Sequence, residues 1–228
     1  MIVLSELFPL FNAASPSVLE WLESVSNIED HRGDEIIISE DNWGKDVYFI
    51  VSGWVKIRYL IGDKELSLEI LSTGESFGAL AVLEESLRYT EAVSISDVQL
   101  VSLSAQRFLQ LLYKDSQIQQ RMLQLTIRRI RQLYRRLQWQ HQPSKVRVVK
   151  TLLSLSDNYG KILDEGTAIY NLPPQDLADM ASLDLEETKT ILEKLIAKGW
   201  IEIHPSESVL CITNPKQLHH FAKQLGQD

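Results

Sequence analysis

The stretch LPPQDLADMASLDLEETKTILEKLIAKGWIEIHPSESVLCI, residues 172–212, decides how this chain is read. Leu177, Ala178, Met180 and Ala181 give the apolar side of a short helix after Pro173, Pro174 and Gln175, and Ser182-Leu183 interrupts it before Asp184 caps a second helix. In the second helix Thr188, Ile191, Leu192, Leu195 and Ile196 recur at three- and four-residue spacing up to Gly199, which suits a C-terminal stop. Two short strands follow, Trp200 to Ile203 and Val209 to Ile212, joined through the turn formers Pro205, Ser206 and Ser208. Helix, four-residue turn, helix and hairpin is the layout of a winged helix-turn-helix, a shape that places its second helix in the major groove of DNA. A generic helix pair with a hairpin shares that layout.

The charges of this stretch pull the other way. Residues 172–201 carry Lys189, Lys194 and Lys198 against Asp176, Asp179, Asp184, Glu186, Glu187 and Glu193, a net of −3. A DNA-facing module is ordinarily basic, because Lys and Arg neutralise phosphates. Acids in a first helical turn also have a purely structural use, in capping and in complementing the helix dipole.

Working outward, 228 residues with 44% hydrophobic composition suffice for one large core or two small ones. Cys211 is the only cysteine, and no run approaches the roughly 18 apolar residues of a membrane helix. The N-terminus lacks a basic segment followed by an apolar one, so the expectation is a cytoplasmic protein without disulfides and with no membrane partner. The net charge of −8 is unevenly spread: residues 1–104 hold 6 basic against 18 acidic groups, 105–143 hold 8 against 1, and 144–228 hold 9 against 12. The basic middle reads either as a helix placed against an acidic domain or an anionic ligand, or as a solvated basic face.

That division gives three expected parts. From Gly33 to Leu103 short alternating strands are punctuated by Gly33-Asp34, Gly53, Gly62-Asp63 and Gly74-Glu75, the pattern of an antiparallel sandwich or jelly-roll barrel. The runs are Ile36 to Ile38, Val47-Phe49-Val51, Val55-Ile57-Tyr59, Leu66-Leu68-Ile70, Ala92 to Ile95 and Val98 to Leu103, after a helix at Pro16 to Ser24. A helical segment then runs from near Ser104 to about His141, with room for an early break, and Pro143 ends it. Within it Leu123, Ile127, Ile130, Tyr134 and Leu137 form a heptad seam, the outline of a parallel dimer helix, although a core-facing helix of a monomer shows the same stripe. A second stripe, Met122, Leu125, Arg129, Leu133 and Arg136, lies to one side and is placed to face the β domain. In the last part Ser144 is the expected cap of a helix closed by Gly160, and Asn214-Pro215 opens a final helix. The fold class is therefore α+β: a β-roll over 1–104, a dimerisation helix over 105–143 and a winged helix-turn-helix domain over 144–228.

The order of these parts and several motifs resemble the CRP/FNR family of bacterial transcription regulators. The motifs are Gly33-Asp34-Glu35-Ile36, Val47 to Ile57, Gly74-Glu75-Ser76-Phe77-Gly78-Ala79-Leu80, and Arg88 with Ala92-Val93 behind it. The resemblance implies an effector pocket at Phe77, Gly78, Ala79 and Leu80. Cyclic-nucleotide binders of the family place a Glu where Ala79 stands and a Ser or Thr where Tyr89 stands. An alanine cannot accept a ribose hydroxyl, and an unsatisfied buried hydroxyl costs about 1–3 kcal/mol, so a cyclic nucleotide is the less favoured ligand. The pocket pattern is similar to that of the cyanobacterial nitrogen-control regulators, which implies a 2-oxoglutarate-like dicarboxylate held by backbone amides and two arginines, Arg88 and Arg129. Arg129 is preferred to Arg128 because it lies beside Leu125 and Leu133. Tyr134 departs from that pattern, in which a Glu stands there. The alternative without ligand pairs Arg88 with Glu84, Glu85 or Glu91 and leaves Arg129 solvated.

For DNA the resemblance puts Leu185 and Thr190 where the family carries arginines, with Glu186 matching its Glu, and Gln175 matching in the preceding helix. Pro173 and Pro174 replace its phosphate-clamping Thr and Arg. The DNA-binding candidates are Gln175, Glu186, Lys189 and Thr190. No Ser-His-Asp, Cys-His, P-loop or zinc spacing is present, so the chain is expected not to be an enzyme and to hold no metal. The implied function is a homodimeric DNA-binding transcription regulator under a small anionic effector, working with RNA polymerase or another regulator. The rival is a member of the same fold that has lost specific DNA binding and serves as a sensor or protein-interaction module.

Overall fold

The computed structural model describes residues 4–39, 45–62, 64–84 and 90–224. The chain forms two compact units, Met1–Arg131 and Gln132–Asp228.

The first unit begins with α1 (Leu4–Leu7), a 3-10 turn at Pro9–Phe11 and α2 (Pro16–Val25), where the Ser15 hydroxyl accepts from the Val18 N–H. Among the described residues eight strands follow: β1 (Asn27–His31), β2 (Ile36–Ile38), β3 (Asp46–Ser52), β4 (Trp54–Ile61), β5 (Lys64–Ser72), β6 (Ser76–Phe77), β7 (Glu91–Ser94) and β8 (Val98–Ser104). They make two antiparallel four-stranded sheets, ordered β1-β8-β3-β6 and β2-β7-β4-β5. Alternate residues of both sheets meet in an inner cluster of Ile38, Ile50, Val55, Leu71, Phe77, Ala92, Val98 and Leu100. This is the expected β-roll. The outer face of the first sheet, Val47, Phe49, Val101 and Leu103, is covered by a second cluster with Phe8, Phe11, Leu22, Phe108 and Ile118.

Between β6 and β7 lies the short helix α3 (Ala79–Glu84), and after β8 come α4 (Ala105–Lys114) and α5 (Ser116–Trp139). The early break in the helical segment falls at Asp115, whose carboxylate accepts from the N–H groups of Gln117 and Ile118 and so caps α5.

The second unit is organised by α6 (Ser144–Tyr159), whose buried Val146, Val149, Leu152, Leu153 and Leu155 lie at the centre of its core. The strands β9 (Lys161–Leu163) and β10 (Gly166–Tyr170) follow, then α7 (Pro174–Ala181), α8 (Leu185–Ala197), β11 (Ile201–His204), β12 (Val209–Ile212) and α9 (Pro215–Gln224). Helix α6 packs on α7, α8, α9 and β10. The hairpin β11–β12 is widened by β10 and β9 into a sheet ordered β11-β12-β10-β9, a wing of four strands where two were expected. Ser144 is not the cap of α6: Pro143 holds that place without a side-chain bond, and its carbonyl accepts from Val146 and Arg147. Asn214 does cap the last helix, accepting from the Gln217 N–H.

Gly53, in the β3–β4 turn, has φ +91°, and a Cβ there would stand 2.2 Å from the Asp97 carbonyl oxygen. Gly62, at φ +60°, has nothing within 4 Å. Gly53→Ala should therefore cost about 2–4 kcal/mol through backbone strain and displacement of β8, while Gly62→Ala should cost only about 1–2 kcal/mol, that of a left-handed non-glycine residue. Urea unfolding of both variants checks this, and equal losses would contradict the steric origin.

Candidate functional site

Of the described effector candidates, Phe77 lies on β6, Ala79 and Leu80 on α3 and Arg129 on α5, with β5 beside them. A register shift in the β4–β5 pair lies between Ile57 and Arg58: Ile57 pairs with Glu69, Arg58 with Ser67, and Leu68 is the extra residue. Glu69 thereby stands opposite Ile57, which packs against the inner cluster. On α5, Met122 and Leu125 pack onto the outer cluster, and Arg129, one turn beyond Leu125, reaches back to the roll. Its Nε (3.1 Å) and Nη2 both donate to Glu69 Oε2, and its Nη1 donates to the Ser76 carbonyl at 3.2 Å. Arg129 is thus paired and not merely solvated, on the face that the helical stripe assigned to it.

Glu75 adjoins this pair. Burial pushes its carboxyl above the ordinary carboxylate value; the Arg129 charge pulls against that, Glu69 adds to it and Arg128 opposes it.

The other pocket candidates are spread over three environments. Phe77 is buried and stacks on Tyr48, with ring centroids 5.1 Å apart. Gly78 has φ 91°, Ala79 is buried in the outer cluster, and Leu80 is 72% exposed. Arg88 and Tyr89 lie outside the described residues, as does the pairing of Arg88 with Glu84 or Glu85. Glu91, the third partner considered for Arg88, is bonded by Arg58 through Nε at 2.9 Å and Nη2 at 2.7 Å. Glu69 was missed in the sequence because the Leu66-Leu68-Ile70 alternation reads as one regular strand face, and the bulge at Leu68 breaks it; Ser76 was missed because it takes part through its backbone carbonyl, which carries no side-chain signal.

A cleft of about 340 Å³ opens elsewhere on the roll, lined by Asp30, His31, Arg32, Glu35, Ser52, Asp97, Val98 and Gln99. It contains none of the pocket candidates. Among the described residues no group of three or more His, Cys, Asp or Glu is placed to hold a metal, and no helix is long and apolar enough to cross a membrane.

In the second unit Ser182 turns the chain between α7 and α8 at φ 55°, and Arg147 donates to its carbonyl at 2.9 Å. The Asp184 carboxylate accepts from the Glu187 N–H at 2.9 Å and so caps α8. All four DNA candidates are exposed. Lys189 pairs with Glu186 at 2.9 Å, the Thr190 hydroxyl donates to the Glu186 carbonyl, and Gln175 donates to Asp179 at 2.8 Å. Three of the four are thus gathered on the first turns of α8, and Gln175 stands at the start of α7.

Residues 29–115 match the cyclic nucleotide-binding domain, and residues 146–221 match the Crp-like helix-turn-helix domain. The chain belongs to the CRP/FNR family. Among the relatives of this CRP/FNR chain, the cyclic AMP receptor protein of Thermus thermophilus is 25% identical over 200 residues, covering 86% of this chain and 89% of that protein. The CRP-like cAMP-activated global transcriptional regulator of Mycobacterium tuberculosis is 26% identical over 221 residues, covering 94% and 96%. Of solved structures, FixK2 from Bradyrhizobium japonicum superposes with a TM-score of 0.73 at 21% identity over 86% of this chain and 96% of its own. The c-di-GMP responsive regulator CLP of Xanthomonas campestris superposes with a TM-score of 0.69 at 21% identity, over 87% and 99%. The chain is a CRP/FNR-type transcription regulator with both characteristic domains.

The raised Glu75 value has a consequence for stability. A carboxyl raised in the folded state contributes most when protonated, below its ordinary value, and that contribution is lost as pH rises through the folded value. Glu75→Gln should therefore gain stability over the natural protein as pH rises from about 4 to about 8, the difference being smallest at the acid end. Thermal melts across that range check it; a gap that narrows toward neutral pH would contradict the assignment.

Proposed function

We propose that this regulator acts as a homodimer joined along α5, presents α8 to DNA, and responds to a small anionic effector at Arg129 and the strand and helix around Phe77 to Leu80. The observation that carries the dimer is the heptad seam. Leu123, Ile127, Ile130, Tyr134 and Leu137 are 60%, 48%, 42%, 63% and 55% exposed in the single chain, while the neighbouring stripe of Met122 and Leu125 is packed against the roll. An apolar stripe of this length with heptad spacing is what a second copy of the same helix covers. CRP-family regulators bind DNA and act as dimers, which supports the same assignment.

For the effector, the buried Ala79 methyl supplies no acceptor for a ribose hydroxyl, so the cyclic AMP named for two relatives does not fit here in the usual manner. Arg129 offers a charged fork suited to a carboxylate or phosphate. A 2-oxoglutarate-like dicarboxylate is one such ligand, and Arg88 is its proposed second arginine.

For DNA, the acids of α8 are partly used within the helix. Asp184 caps it and Glu186 is paired with Lys189, leaving the Thr190 side and the following Lys194 for contact. Lys145, Arg147 and Lys150 on α6 supply further positive charge. The surplus of acid favours a second reading, in which the winged unit binds a protein. Gel shifts with random duplex DNA at low salt separate the two. The natural chain should shift the duplex, and Ile127→Glu, which puts a charge into the seam, should sediment as a monomer and lose at least about 100-fold in affinity, since one half-site's contacts are removed. No shift by the dimer at any salt, with or without candidate effectors, would leave only the protein-binding reading.

A further inference from the structure

The anion-seeking group of the pocket already holds an anion. Two of the three Arg129 nitrogens donate to a single Glu69 carboxylate oxygen, and the third donates to the Ser76 carbonyl. The two side chains are 37% and 23% exposed, so the pair is within reach of solutes while lying partly out of water. Glu69 comes from β5 and Ser76 from β6, so this one guanidinium ties α5 to two strands of the roll. Glu75 adds a second carboxyl in the same field, which makes the surroundings of Arg129 unfavourable to an incoming anion unless one carboxylate withdraws.

We propose that Glu69 is a built-in occupant of the anion site, so that an anionic effector binds by taking Arg129 from Glu69, and that this exchange sets both the affinity and the charge selectivity of the pocket. The inference rests on the proposed reading of Arg129 as an effector-binding residue. The exchange is a substitution of one carboxylate or phosphate for another at the same guanidinium face, with no covalent step. An anion that donates no hydrogen bond leaves the displaced Glu69 charge to be met by water. One that carries a hydroxyl beside its charged group can donate to Glu69 while accepting from Arg129, and is selected on that account. Release of Glu69 also unfastens α5 from β5, which couples occupancy of the pocket to the helix bearing the seam.

The test is calorimetric titration of 2-oxoglutarate and, separately, inorganic phosphate into the full chain, into Glu69→Gln and into Arg129→Gln, each first shown to be folded by circular dichroism. Glu69→Ser serves in place of Glu69→Gln should the latter not fold. The proposal expects weak binding by the natural chain, binding at least about tenfold tighter by Glu69→Gln, and loss of that gain in the double variant Glu69→Gln, Arg129→Gln. Arg129-dependent binding that is unchanged or weakened by Glu69→Gln would overturn the exchange and leave the effector site standing. Absence of any Arg129-dependent binding of either anion, in the natural chain and in Glu69→Gln alike, would overturn the effector site and the exchange together.

Discussion

Helix α5 has to satisfy two surfaces with one sequence. Ile118, Met122, Leu125 and Arg129 follow four-three-four spacing and turn toward the roll, where Ile118 is 1% exposed and Arg129 bonds Glu69. Leu123, Ile127, Ile130 and Tyr134 follow the same spacing five residues further on, about 140° around the helix, and are left open. At 24 residues the helix is about 36 Å long. Burial of the roughly half-exposed surface of each seam Leu or Ile in a dimer would contribute about 1–1.5 kcal/mol. The first stripe fixes how α5 meets the β-roll, and the second is free to fix how it meets another copy. A change at Arg129 is therefore a change on the element that carries the proposed dimer contact.

Electrostatics is arranged in short range on both units. In the roll, Arg58 is shared by Glu65 and Glu91, Lys56 bonds Glu65, and Arg129 bonds Glu69. In the winged unit Asp184 serves its own helix end and Glu186 is met by Lys189. The exposed Lys189–Glu186 pair adds at most about 1 kcal/mol, whereas Lys56, Arg58 and Glu91 are largely buried and cannot lose a partner cheaply. At the start of α8 these contacts engage Asp184 and Glu186 within the unit, while both carboxylates stay exposed. At Arg129 they put a tethered carboxylate at the guanidinium proposed to take the effector.

Much of the fold was legible because it rests on periodicity. The strands from Ile36 to Leu103, the α5 seam, and the pair α7–α8 follow period two or period 3.6 with clear punctuation at Gly53, Gly74, Ser182 and Gly199. Elements whose sequence lacks that contrast were missed. The strand β1 reads Asn27-Ile28-Glu29-Asp30-His31 and is held by pairing with β8, and β9 and β10 join the wing by pairing with β12. The candidate site was legible in Arg129, because its place on the wheel is a matter of angle. Glu69 was hidden because one bulge exchanges the faces of β5, and no local signal in Leu66 to Ile70 announces it. The chemistry of the winged unit was legible as charge alone; which acids are consumed by caps and pairs depends on side-chain placement.

The two-sided use of α5 is tested most directly by cross-linking through the seam. In a Cys211→Ser background, Ile130→Cys and, as a control off the seam, Thr126→Cys would be oxidised under mild conditions and the products separated by size. A parallel dimer brings the two copies of position 130 together, so Ile130→Cys should convert to a disulfide-linked dimer while Thr126→Cys stays largely monomeric under denaturing conditions. Equal and slow cross-linking at both positions would contradict a dimer built on this face of the helix.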